Sequence, residues 1–228
     1  MNVLESTRRE LGRALGGNFS GSQLEGIKDS IRVFAIASAV ANAIGGWIPG
    51  GVAFVATVVQ SGITVALFMK INRLLNVNFQ ENMVKVIAAA FATGIVANAS
   101  GLIILYAAAA VIGLIPVLGS AIAATANAAM GYIYIYVAAV IYLKLVSFLA
   151  QPNGSIRTPD AAEAKRIIAE ILESTDMKEL VQEGRNSFKQ AEQDGSIADA
   201  MQHRRCPNCG SSVKDGQRFC SNCGCALS

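Results

Sequence analysis

Two long stretches of this chain, residues 33–69 and 86–143, contain no Asp, Glu, Lys, Arg or His. A helix in water needs a polar face, and these stretches offer only scattered Asn, Thr, Ser and one Gln among mostly Ala, Val, Ile, Leu and Gly. Their surroundings must be largely apolar, so the centre of the protein is expected to be embedded in a membrane. A very apolar soluble core wrapped by the termini is the alternative. The second stretch is longer than one buried helix accounts for, which favours the membrane.

Charge supports the same reading. Only 15% of residues are charged, against about 25% in an ordinary soluble domain. The net charge of +3 is small and mixed in sign, so nucleic acid is not an expected partner, whereas a lipid bilayer is. No secretory leader is read in the first thirty residues, which contain Arg8, Arg9, Glu10, Arg13, Glu25, Lys28 and Asp29; the first hydrophobic helix would itself target the chain.

Turn signals divide the apolar region. A short helix over 3–15 in a mobile N-terminal segment would bring basic residues near the membrane. Ser22-Gln23-Leu24-Glu25 fits a capping box that opens a helix running to Gly45. Gly45-Gly46-Trp47-Ile48-Pro49-Gly50-Gly51 breaks it, and Trp47 suits a lipid–water boundary. A second helix over 52–69 leads to a polar loop marked by Lys70, Arg73, Glu81 and Lys85. A third covers 86–112, a second breaker follows at Gly113-Leu114-Ile115-Pro116-Val117-Leu118-Gly119, and a fourth runs over 120–148. Ala56-Thr57 and Ala124-Thr125 fall at equal offsets after the breakers, the mark of a weak repeat of helical hairpins.

Both breakers are uncharged, while the ends and the middle loop hold every Lys and Arg, which places both termini on the cytoplasmic side. The expected location is a prokaryotic inner (cytoplasmic) membrane. Complete spanning is the favoured reading. Hairpins that dip in and return are the alternative, because helices of the first pair reach only about 24–27 Å against a hydrocarbon core of about 30 Å.

Asn42, Gln60, Asn98 and Asn127 are the costliest residues in this region, and each lies near small residues, so their amides are expected to bond across close helix contacts. Lining a hydrated path is the sharper alternative. Such a path normally carries an ionisable residue, which is missing. Tyr132, Tyr134, Tyr136 and Tyr142 fall on different faces of the fourth helix and are read as packing or boundary residues.

After residue 149 the pattern becomes amphipathic. Thr158-Pro159-Asp160 predicts a helix start with Thr158 as the cap. Ala164, Ile167, Ile168, Ile171 and Leu172 form one apolar stripe, and Met177, Leu180, Val181 and Phe188 a second; these helices are expected to pair with each other or with a partner. Asp194-Gly195 and the polar residues to Gln202 read as a linker. The expected divisions are 1–30 polar segment, 31–149 membrane hairpins, 150–202 helical stem and linker, and 203–228 a metal-binding tail.

All five cysteines lie in that tail. Cys206-Pro-Asn-Cys209-Gly and Cys220-Ser-Asn-Cys223-Gly are separated by ten residues, and two such turns place four thiolates at the corners of a tetrahedron. One structural zinc ion on Cys206, Cys209, Cys220 and Cys223 is the expected cofactor. Iron in the same cage, or a redox dithiol, shares the spacing. Cys225 is too close to Cys223 to repeat the motif, and His203 reads as a solvated neighbour. Metal spacing implies a reducing compartment for the tail.

Residues 206–227 resemble the short bacterial and archaeal zinc-ribbon domain often appended to membrane proteins, which implies two small hairpins around zinc. Ile115-Pro116-Val117-Leu118-Gly119-Ser120, with the small-residue helix after it and Gly131, resembles the membrane domain of YcjF-like and GTPase-linked bacterial proteins. The chain has no Gly-x-x-x-x-Gly-Lys-Ser/Thr loop, so a GTPase would act from another chain. The expected fold is thus an all-α membrane protein of two helical hairpins, about four hydrophobic helices, a cytoplasmic helical stem and a small C-terminal zinc ribbon. The expected function is a membrane-anchored scaffold or adaptor that presents the ribbon to a cytoplasmic protein partner. A small oligomeric pore or transporter with a regulatory ribbon is the alternative. An enzyme is not expected, because no acid–base pair, activated nucleophile or phosphate cradle is visible.

Overall fold

The computed structural model describes residues 3–16, 20–45, 52–97 and 120–202, the pairs 204–205 and 212–213, and residues 219 and 225. Helices dominate it: α1 (Val3–Ala14), α2 (Gly21–Gly45), α3 (Val52–Leu75), α4 (Glu81–Ala97), α5 (Ser120–Leu149), α6 (Ala161–Ser174), α7 (Met177–Gln193) and α8 (Ser196–Gln202). Two-residue strands follow, β1 (Arg204–Arg205) and β2 (Ser212–Val213). The two expected breakers, at 46–51 and 113–119, and residues 98–112 of the expected third helix lie outside the described residues.

Helix starts follow local capping chemistry, at positions that differ from expectation. The box that opens α2 is Ser20 with Gln23, two residues before the expected pair. Ser20 Oγ accepts from the Gln23 amide at 3.2 Å, and the Gln23 carbonyl oxygen Oε1 accepts from the Ser20 amide at 2.7 Å. At α6 the cap is Asp160, which accepts from the Glu163 amide at 2.8 Å, in place of Thr158. A carboxylate at that position also meets the positive end of the helix dipole. The expected second helix extends beyond residue 69, through Lys70 and Arg73 to Leu75, and the loop shrinks accordingly. Asn76 ends it in the left-handed region (φ 55°), the residue type other than glycine that best tolerates it.

The helix α5 is the axis of the packing. It is almost uniformly apolar, and from Ala128 onward most of its side chains are buried. It lies along α2, and α1, α7, α6 and α3 complete the wrapping. The wrapping helices are amphipathic. The N-terminal helix α1 turns Val3, Thr7 and Leu11 inward, so the segment expected to be mobile contributes to the core. The apolar stripe of α6 is the expected one, Ala164, Ile167, Ile168, Ile171 and Leu172.

Those helices do not pair mainly with each other. The stripe of α6 lies on α4, where the absence of a side chain at Gly94 admits Leu172 Cδ1, and α7 lies on α5, where Gly184 sits against Tyr136 and Ile133. Flat glycine faces let each amphipathic helix reach apolar surface on a neighbour, which offers more burial than the narrow stripes offer each other. Residues 196–202, expected as linker, form α8 with Ile197 and Ala200 buried against α2 and α7. Asp194 starts it, its Oδ1 accepting from the Ser196 amide at 3.1 Å.

Among the described residues one segment, Thr125–Leu149, is long and apolar enough to cross a membrane, and 78% of its most apolar window is buried inside the protein. A buried helix of this kind also occurs at the centre of soluble proteins.

Candidate metal centre

The tail begins one residue after α8. Its strands pair antiparallel, Arg204 with Val213 and Arg205 with Ser212, so the chain reverses direction between Arg205 and Ser212. Cys206 and Cys209 fall by sequence between the paired strands, and two Cys-x-x-Cys motifs together supply the four thiolates that tetrahedral zinc takes. Cys206, Cys209, Cys220 and Cys223, with His203, lie outside the described residues. Of the nearby described positions, Cys225 is half-buried and Phe219, directly before Cys220, is 63% exposed. Among the described residues no group of three or more His, Cys, Asp or Glu could hold a metal.

Residues 202–227 match the family model of the zinc-ribbon domain. That match covers the tail and implies zinc binding there. The donor set fits, since four cysteine sulfurs in two Cys-x-x-Cys motifs are what tetrahedral zinc prefers, and neither motif places an Asp or Glu between its cysteines. No curated protein and no solved structure matches the chain.

The structure joins two of the four expected intramembrane amides. Ser38 Oγ lies 2.7 Å from Gln60 Oε1 and 2.9 Å from the Gly131 carbonyl oxygen, two acceptors that share its single proton; in the same cluster Asn42 Nδ2 donates to Gln60 Oε1 at 3.0 Å and to the Ser38 carbonyl at 2.8 Å. One cluster therefore ties α2, α3 and α5 together. Gln60 Nε2 is buried there without a partner among the described residues. Asn127 is half-buried on α5, and Asn98 lies outside the described residues.

Sequence reasoning missed the cross-chain contacts of the charged helices. Glu183 on α7 accepts from the Val3 and Leu4 amides, capping α1 from 180 residues away in sequence. Arg32 on α2 reaches Asp194 Oδ2 at 2.5 Å and Ser196 Oγ at 2.8 Å. Bonds from Ser196, and then Arg32, hold the Asp194 carboxyl below the usual carboxylate range. The available signal was weak: Arg32 is the last charge before the first apolar stretch, and Asp194 precedes a glycine. The tyrosines pack, as expected. Tyr142 stacks on Phe68 at 4.0 Å, Tyr134 meets Phe91 edge-on at 5.4 Å, and Tyr132 meets Phe188 edge-on at 5.6 Å.

Proposed function

We propose that this protein is a membrane-anchored scaffold that presents a structural zinc ribbon to a cytoplasmic protein partner. In this reading the hydrophobic helices of residues 31–149, arranged as two hairpins, hold the chain in the bilayer with both termini cytoplasmic. Cys206, Cys209, Cys220 and Cys223 hold one zinc ion. Four thiolates leave no open coordination position, so the metal would supply folding energy to the tail rather than catalysis.

The observation that carries the reading is the attachment of the ribbon. The helix α8 buries Ile197 and Ala200 on the helical body and β1 begins after one intervening residue, so the ribbon follows a packed helix instead of a long polar linker. Its exposed Phe219 offers a large apolar side chain for contact. A GTPase acting in trans is the partner class implied by the resemblance of residues 115–120 and the helix after them. The pore alternative drew on the intramembrane amides, and those of Asn42 and Gln60 are engaged in bonds between helices, which favours the scaffold.

The test is crosslinking from a photoreactive residue at position 219 in native membranes. The scaffold reading expects a defined adduct that disappears with Cys206→Ser or Cys220→Ser while the chain stays in the membrane fraction. Adducts indifferent to these substitutions, or ion flux from the purified protein in liposomes, would overturn it.

A further inference from the structure

The chain folds one local turn twice. Asn153-Gly154-Ser155 closes the hairpin between α5 and α6, where Ala150 bridges Ile156, and Asp194-Gly195-Ser196 joins α7 to α8. Both glycines lie in the left-handed region, at φ 77° for Gly154 and 78° for Gly195. Their amides donate three residues back, Gly154 to the Gln151 carbonyl at 2.8 Å and Gly195 to the Glu192 carbonyl at 3.2 Å. The first side chain of each turn then accepts from the serine amide, Asn153 Oδ1 at 3.0 Å and Asp194 Oδ1 at 3.1 Å. Ser196 Oγ adds a bond to Asp194 Oδ1 at 2.5 Å, and Ser155 Oγ divides its proton between Asn153 Oδ1 at 2.7 Å and Gln151 Oε1 at 2.8 Å. The two turns differ chiefly in that one presents an amide and the other a carboxylate.

That difference decides which turn can react with itself. The hydrogen-bonded ring closed by the Ser155 amide contains both Asn153 Cγ and the Gly154 nitrogen, so an electrophile and a nucleophile are held in one small loop. Hydrogen bonds to Asn153 Oδ1 draw electron density from Cγ and stabilise the oxyanion that forms when Cγ is attacked. Glycine places no side chain beside its nitrogen, and Asn153 is the only Asn in the sequence followed by Gly. Asn153 and Ser155 are exposed, so water reaches the turn, and the bond from Gly154 to Gln151 can open without disturbing the core.

We infer that Asn153 is a site of spontaneous deamidation, selected by this turn. The Gly154 nitrogen gives its proton to water and bonds to Asn153 Cγ; the Cγ–Nδ2 bond then breaks, and the side-chain nitrogen takes a proton from solvent and leaves as ammonia. Water opens the resulting cyclic imide at either carbonyl, leaving Asp or isoaspartate at position 153. Water is the only co-reactant, and nothing is oxidised or reduced. Asp194 does not follow the same course, because an ionised carboxylate is a poor electrophile and its bonds to Ser196 and Arg32 favour that form. Asn153 and Arg13, at the end of α1, line one cavity of about 430 Å³, so the product adds a negative charge to a space that already holds a guanidinium. The inference does not depend on the membrane reading.

In the test, the full-length protein in detergent is incubated at neutral and at mildly alkaline pH. Its peptides are followed by mass spectrometry and by labelling with an isoaspartate methyltransferase. The peptide containing Asn153 should gain about 1 Da and become a methyl acceptor, faster at the higher pH because the glycine nitrogen reacts after losing its proton. The peptide containing Asp194 should acquire no isoaspartate over the same period. Ser155→Ala keeps the backbone amide but removes the hydroxyl, and should slow the gain by about threefold to tenfold, the worth of one net hydrogen bond. An unchanged mass at Asn153, or an equal gain at the other asparagines, would overturn the inference. A gain that is as fast or faster in Ser155→Ala would overturn selection by the turn.

Discussion

Gly131 is the position at which a single methyl group should do the most damage. A Cβ there would lie 2.5 Å from Asn42 Nδ2, 2.9 Å from Asn42 Cγ and 2.7 Å from the Ser38 carbonyl oxygen. The asparagine side chain can rotate, but the Ser38 carbonyl belongs to the backbone of α2, so the two helices must separate. Separation strains the bond from Ser38 Oγ to the Gly131 carbonyl, and rotation of Asn42 breaks its bond to Gln60. Overpacking a tight contact costs about 1–3 kcal/mol, and each lost hydrogen bond about 1 kcal/mol. Alanine returns about 1 kcal/mol through its better helix propensity. Gly131→Ala should therefore destabilise the protein by about 1–4 kcal/mol, or about 2–4 °C of melting temperature per kcal/mol for a chain of this length. Gly62→Ala is the control, because nothing among the described residues lies within 4 Å of a Cβ at that helical position. It should stabilise by about 0.5–1 kcal/mol. The assay is far-ultraviolet circular dichroism during heating of the detergent-solubilised protein. Equal stability of Gly131→Ala and the parent would refute the close α2–α5 contact.

Tyr142→Phe keeps the stacking on Phe68 but removes the hydroxyl that donates to Asn72 Oδ1, leaving a buried amide whose Nδ2 is already without a partner among the described residues. The same melting assay should show a loss of about 1–3 kcal/mol. Leu172→Ala removes the side chain that fills the space over Gly94 and should cost about 2–5 kcal/mol, read as earlier proteolysis of α6 than of α5. Asp194 titrates below the ordinary range because Ser196 and Arg32 favour its charged form. A depressed carboxyl stabilises the fold above its unfolded value and loses that contribution as pH falls through the folded one. Protection of the α8 amides, taken relative to their intrinsic exchange rates, should therefore fall as pH drops below the ordinary carboxylate range, and Asp194→Asn should remove that pH dependence.

How much of this was legible in the sequence depends on the range of the interaction. The existence of α2, α5, α6 and α7 follows from local pattern, because apolar periodicity and composition act within a few turns. Capping positions shifted by two residues at Ser20 and at Asp160, since several side chains nearby could each accept the same amides. The amide cluster was legible as residue types, Asn42 and Gln60 among small neighbours. Its meeting point at Gly131 was not, because that depends on how α5 crosses α2. The seating of α6 on α4 and α7 on α5 was missed for the same reason: an amphipathic stripe states that something covers it, not which surface does. At Asp194 a helix-starting carboxylate read as the beginning of a linker, since a seven-residue helix carries too short a pattern to detect. In the tail the spacing of four cysteines marks a zinc ribbon directly, because metal chemistry restricts spacing far more tightly than packing does.

The account divides the molecule into a helical body stabilised by packing and a tail of about 25 residues that is too small to bury a core of its own and should need metal to fold. The most direct test is a chelator titration of the full-length protein, purified anaerobically in detergent, with zinc release and helical ellipticity followed together. About one zinc ion per chain should leave, with the helical signal almost unchanged, and Cys206→Ser or Cys220→Ser should arrive already lacking zinc yet equally helical. A chain that carries no zinc, or one whose helices melt as the zinc departs, would contradict it.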